Sequence, residues 1–150
     1  RRPGRGPEHR PMTAQRYLED VSVGEAMPAM VKNASRAQLF LFSAATNNPH
    51  RIHYDREYAA VEGHPDVLVH GPLQGAWLSQ FVVDWAGPGG RLVAMGWQNR
   101  GRAFPESDLT FRGKVTSISG DEVSLQVWEE DAAGTVLMPC TARVRLPRRP

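Results

Sequence analysis

The stretch Asn47–Asp55, NNPHRIHYD, gathers two histidines three residues apart, two asparagines, an arginine and an aspartate around Pro49. Histidine has an ordinary pKa of about 6.5, so it accepts and releases protons near neutral pH. His50 and His53 are therefore candidates for proton transfer. Asn48 cannot exchange a proton at that pH, but its amide can orient a water by hydrogen bonds. The His-x-x-His spacing raises a metal reading, yet no third ligand stands at a recognisable distance along the chain, and no metal is expected. A second polar feature opens the stretch HGPLQGAWLS, where Gly71 and Pro72 stand at the start of a helical pattern. A helix N-terminus presents unpaired N–H groups and a partial positive charge, and a glycine there lets another group approach the backbone.

The surrounding elements explain how such groups could be held. Ser35 and Gln38 have capping-box spacing, and the run after them, RAQLFLFSAAT, reads as a helix with Leu39 and Phe42 inward. It should end near Asn47, because Pro49 lacks an N–H and disfavours helix at Asn48. Asp55 can cap a short helix over DREYAAVE. The longest helical signal is GPLQGAWLSQFVVDWAG, with Pro72 at a first helical position and apolar residues covering more than one stripe. Such a helix has to be wrapped. A short strand is expected around 29–32, and four more in RLVAMGWQNRGRAF, DLTFRGKVTSIS, EVSLQVWEED and TVLMPCTARVRL, separated by turn-forming residues. Val136, Met138, Cys140, Ala142, Val144 and Leu146 alternate with mostly polar partners, so the last strand buries one face. The fold expected is α+β, an antiparallel sheet curled around a central helix.

Composition narrows the function. At 150 residues and 41% apolar, the chain suits one domain, read as 12–150 after a basic, disordered tail over 1–11. No apolar run reaches the ~18 residues of a membrane span, and the first residues lack the apolar block of a secretory signal. The net charge of +2 is misleading about nucleic acid, because residues 1–11 carry +3 and the last four carry +2, leaving a body near −3. Trp77, Trp85, Trp97 and Trp128 are not interleaved with basic residues and read as core and interface, not as a platform for bases. GPGG and GRG lack the strand-to-helix context of a nucleotide fingerprint, so no cofactor is expected. The lone Cys140 reads as a core residue in a reducing compartment, and a cytoplasmic location is expected.

Over about residues 17–146 the sequence resembles the hot-dog fold. Within that fold it is similar to the MaoC-like (R)-specific enoyl-CoA hydratases and type 2 3-hydroxyacyl-thioester dehydratases. The family's hydratase loop commonly reads Ser-Gly-Asp-x-Asn-Pro-x-His-x-Asp, and here the loop is TNNPHRIHYD; VHGPLQGAWLS resembles the Val-His-Gly opening of the family's central helix. Aligned on His53 and Asp55, Asn48 stands where the family has its catalytic aspartate and His50 where it has an asparagine. The loop is similar to those of mesaconyl-CoA hydratases and mitochondrial-type dehydratases, which run Asn-x-His-Arg-Ile-His-Tyr-Asp.

The resemblance implies a hydratase or dehydratase acting on a thioester of CoA or acyl carrier protein. His53 would exchange the proton, Asn48 would orient the water, and His50 could carry a second proton. The Gly71 N–H would stabilise the enolate oxygen. Ser79 matches a family position that supports the substrate site, and Arg51 would either pair with Asp55 or meet a substrate carboxylate or carrier phosphates. A homodimer or higher oligomer is implied, with a heterodimer as a further option. Because Asn48 replaces an acid, the alternative is a catalytically silent subunit that binds the acyl thioester.

Overall fold

A computed structural model describes residues 14–150, so the expectation of a disordered tail over 1–11 lies outside the described residues. Strand β1 spans Ala26–Asn33, helix α1 Arg36–Ala45, helix α2 Arg56–Val61 and helix α3 Gly71–Ala86. Strands β2 (Arg91–Trp97), β3 (Asp108–Ser119), β4 (Glu122–Glu130) and β5 (Val136–Arg145) complete one sheet in the order β1-β3-β4-β5-β2, antiparallel throughout.

The sheet wraps α3 as its sequence pattern demands. Leu73, Trp77, Leu78, Phe81, Val82 and Trp85 of the helix are buried against Phe111, Val115, Leu125, Val127, Met138 and Ala142 of the strands. Removing each large apolar side chain from water stabilises the fold by roughly 1.5–3 kcal/mol, so this cluster is the core. Toward β2 the helix offers a row of small residues one turn apart. A Cβ on Gly75 would come within 2.5 Å of the Trp97 ring, and the Ser79 hydroxyl lies 3.4 Å from Met95 Sδ. Gly87 ends the helix with φ +78°, its N–H donating to Val83 O.

The shorter helices follow their caps. Ser35 Oγ accepts from Gln38 N at 3.1 Å, the only half of the expected box made among the described residues, and Asp55 Oδ1 accepts from Tyr58 N at 3.0 Å. Leu39 is fully buried and Phe42 packs against the core.

Two expectations need correction. The first strand is longer than expected and carries Pro28, tolerated because β1 is an edge strand whose register breaks between Met27 and Met30. Strand β2 stops at Trp97, where QNRG interrupts the alternation, instead of running on to Phe104. From there Arg100 N and Gly101 N donate to Leu137 O, and Ala103 O accepts from Val69 N, which carries the segment across the start of α3. At the C-terminus Arg149 pairs with Asp20, Arg148 with Glu19, and the Arg149 guanidinium lies over the Tyr17 ring. Among the described residues, no helix is long and apolar enough to cross a membrane.

Candidate active site

Helix α1 ends at Ala45 with Thr46 as its C-cap, and Asn47 takes a positive φ of 51° at the turn into the histidine loop. The loop then forms a 3₁₀ turn over Arg51–His53. Leu68, in the extended lead-in to α3, clips this turn from both sides. Its N–H donates to Ile52 O at 2.9 Å, and its carbonyl accepts from His53 Nδ1 at 2.8 Å. A carbonyl can only accept, so Nδ1 carries the hydrogen and the neutral ring keeps its lone pair on Nε2. His53 is 9% exposed. Burial pushes its pKa below the ordinary value, with the charge of His50 adding to the fall and the Leu68 carbonyl opposing it.

His53 lies face to face with His70, the residue that precedes α3, with ring centroids 3.7 Å apart and planes 18° apart. His70 is fully buried, and its Nε2 lies 2.8 Å from Ser43 Oγ on α1. Burial, followed by the charge that His53 would carry, lowers its pKa to about 4. His70 is thus neutral near neutral pH. The next residue is Gly71. At the head of α3 Gln74 N donates to His70 O at 3.1 Å and Pro72 has no N–H, while Gly71 N, at the positive end of the helix dipole, has no backbone acceptor outside the helix among the described residues. A Cβ on Gly71 would stand 2.5 Å from Asn99 Nδ2, which shows how closely the Asn99 amide covers this end of the helix.

Asn48 flanks the pair. Its N–H donates to Ser43 O at 2.9 Å and its Oδ1 accepts from His50 N at 3.3 Å, leaving the side-chain NH₂ as the group with hydrogens to offer. Ser43 therefore holds both His70 and Asn48. Beside them opens a cleft of about 200 Å³ lined by Phe40, Ser43, Ala44, Asn48, Pro49 and Tyr54.

The structure brings His53, Asn48 and Gly71 to one end of α3, but it directs three other candidates elsewhere. His50 caps the 3₁₀ turn, with Nδ1 accepting from Ile52 N at 3.4 Å and Nε2 turned toward Glu62 Oε1 at 3.9 Å. Its ring centroid is 6.2 Å from that of His53. Arg51 pairs with Asp55 at 2.5 Å and covers the Tyr58 ring. Ser79 donates to Gly75 O at 3.0 Å, two turns down the helix. Among the described residues, no group of three His, Cys, Asp or Glu side chains could hold a metal ion.

Two neighbours of the site escape sequence reasoning. His70 reads as a structural residue at a helix start, and nothing in the spacing from His53 announces a stacked pair. Asn99 sits in a stretch that reads as strand, and only the early end of β2 brings it over Gly71.

A profile of the family "Hydroxyacyl-thioester dehydratase type 2" matches residues 11–94. Mesaconyl-C(4)-CoA hydratase of Chloroflexus aurantiacus is 38% identical over 96 residues, 63% of this chain, and the chain spans about a third (32%) of that protein's length. The beta subunit of a 3-oxo-4,17-pregnadiene-20-carboxyl-CoA hydratase from Mycobacterium tuberculosis is 24% identical over 85% of this chain and 96% of its own. Among solved structures, the (R)-hydratase of A. caviae involved in PHA biosynthesis superposes with a TM-score of 0.79 at 20% identity, covering 87% of this chain and all of its own. That likeness establishes the hot-dog fold.

Proposed function

Because this chain belongs to the hydroxyacyl-thioester dehydratase type 2 family, we propose that it interconverts an enoyl thioester and a 3-hydroxyacyl thioester, with His53 as the acid–base residue. The observation that carries the reading is the Leu68 carbonyl on His53 Nδ1, which leaves the basic Nε2 of a nearly buried imidazole next to a helix N-terminus. In hydration, a water oriented by the Asn48 NH₂ gives a proton to His53 Nε2 as its oxygen bonds to Cβ. The double-bond electrons move to the thioester oxygen, where the Gly71 N–H and the helix dipole stabilise the negative charge. The imidazolium then returns the proton to Cα, so water is added across the bond and His53 ends neutral. One histidine carries both transfers, and His50 braces the loop. Dehydration is the reverse.

The substrate is a thioester of CoA or of a carrier protein, its acyl part lying toward the cleft beside Asn48. We infer a dimer through β2. The β1 edge is blunted by Pro28, whereas the β2 edge has no proline and leaves Val93 38% and Trp97 44% exposed. Mixing the protein with crotonyl-CoA and with a carboxylated enoyl-CoA should bleach the enoyl absorbance of at least one. No loss with either, across several chain lengths, would refute the activity of this chain alone.

A second reading rests on the mycobacterial relative, which this chain matches over nearly its full length and which is named as a subunit of a hydratase. In that reading the chain binds the thioester and a different hot-dog chain completes the site. An inactive, stable homodimer that gains activity only when co-expressed with a second hot-dog chain would favour it.

A further inference from the structure

We propose that His70 is a positioning residue for His53: its ring, tethered to α1 through Ser43, lies against one face of the His53 imidazole and fixes both the ring's orientation and its contact with water. The proposal rests on the reading of His53 as the acid–base residue and extends it to a residue and a tether with no assigned part in the chemistry.

Three elements converge on this contact. His53 comes from the 3₁₀ turn, His70 from the head of α3 and Ser43 from α1. The rings are parallel within 18° at 3.7 Å, a stack that leaves no room for water between them. Phe42 meets the His70 ring edge-on at 4.8 Å, so His70 is held on another side as well.

The hydrogen on His70 can be placed. Nδ1 is buried without a partner among the described residues, and Nε2 faces Ser43 Oγ at 2.8 Å. An orphaned N–H is rarer in folded proteins than an unmatched acceptor, so Nε2 carries the hydrogen and donates to the serine, and Nδ1 keeps a lone pair. In this tautomer His70 is a fixed neutral plate. It excludes water from His53, which disfavours the imidazolium before substrate binds.

Other ionisable groups around His53 do not supply this effect. Within the loop, His50 lies 6.2 Å away by ring centroid and contributes only by repulsion when charged, while Arg51 and Asp55 neutralise each other. From α2, Tyr58 and Glu62 face His50. From α1, Ser43 reaches His53 only through His70.

The test uses the intact chain and reads His53 in two independent ways: its titration in the resting protein, followed by the ring proton signals in NMR, and the acid limb of kcat/KM. His70→Gln retains an Nε2 donor for Ser43 and removes the flat ring. In that variant the His53 pKa should rise toward the ordinary histidine value, the acid limb should move with it, and kcat should fall about tenfold to a hundredfold at nearly unchanged KM. His70→Phe restores the plate but not the Ser43 tether, so His53 should titrate closer to its wild-type position than in His70→Gln, with a residual shift no larger than that of Ser43→Ala. Should His70→Gln fail to fold, Ser43→Ala, which cuts only the tether, should give a smaller shift of the same sign. A wild-type His53 titration in both His70→Gln and Ser43→Ala, or in Ser43→Ala alone if the first does not fold, would overturn the proposal. An inactive wild type would refute the hydratase reading but leave the NMR comparison to decide the positioning role.

Discussion

Two places in this molecule bury ionisable side chains, and they differ in what surrounds them. At the head of α3, His53 and His70 stack on each other, one bonded to the Leu68 carbonyl and the other to Ser43. In the middle of the sheet, Glu129 is fully buried opposite Phe111 and Met138, and neither carboxylate oxygen has a partner among the described residues. Burial raises the Glu129 pKa to about 8, just as burial displaces that of His53 in the opposite direction. A displaced pKa therefore does not mark the site. What marks it is an oriented ring with one nitrogen left for chemistry beside a helix N-terminus.

After loss of the His53 imidazole itself, filling the helix head should have the largest effect on catalysis. Gly71→Val should lower kcat for an enoyl thioester about a hundredfold, because the side chain displaces Asn99 and shields the N–H that stabilises the enolate. Activity within a factor of two of wild type would remove Gly71 from the mechanism. The sheet interior should respond in stability instead. Glu129 has a folded-state pKa of about 8 against an ordinary value of 4.5, so the folded state holds the proton over a range in which the unfolded state has lost it. Stability should then fall as pH rises from about 4.5 to about 8, by roughly 1.4 kcal/mol per pH unit at most. Glu129→Gln should flatten that slope in urea titrations and leave kcat unchanged.

Smaller effects sharpen the contrast within the loop. His50→Ala should change kcat by no more than about threefold, since both ring nitrogens serve the loop. A loss as deep as that of a His53 variant would mean the second proton passes through His50. Cys140→Ser should leave the rate untouched, because the thiol is buried in β5 and its pKa is pushed up to about 11.

Much of the framework is legible in the chain. The breadth of the apolar surface on 72–86 demands a wrapped helix, Ser35 and Asp55 mark their helix starts, and the strict alternation in β5 predicts its buried face. Even Glu129 falls on the inward parity set by Val123, Leu125 and Val127, though a charged residue near a strand end is easily read as outside the core. The proposed catalytic neighbourhood is only half legible. His53, Asn48 and Gly71 stand out by type and spacing. Their partners do not, because Leu68, His70 and Asn99 reach the site through contacts that only the folded chain creates. The same holds for the local bonds of the three remaining candidates. His50, Arg51 and Ser79 have the right chemistry, but local bonds to Ile52, Asp55 and Gly75 occupy them.

The most direct test of the account is single-turnover hydration of whichever enoyl-CoA the wild type accepts, measured for His53→Ala beside the wild type, with circular dichroism to verify the fold. The account predicts a rate lower by about 10² to 10⁴ in a protein with an unchanged spectrum and melting curve. A folded His53→Ala variant that hydrates the thioester as fast as wild type would contradict it, and the polar loop would then be a structural brace.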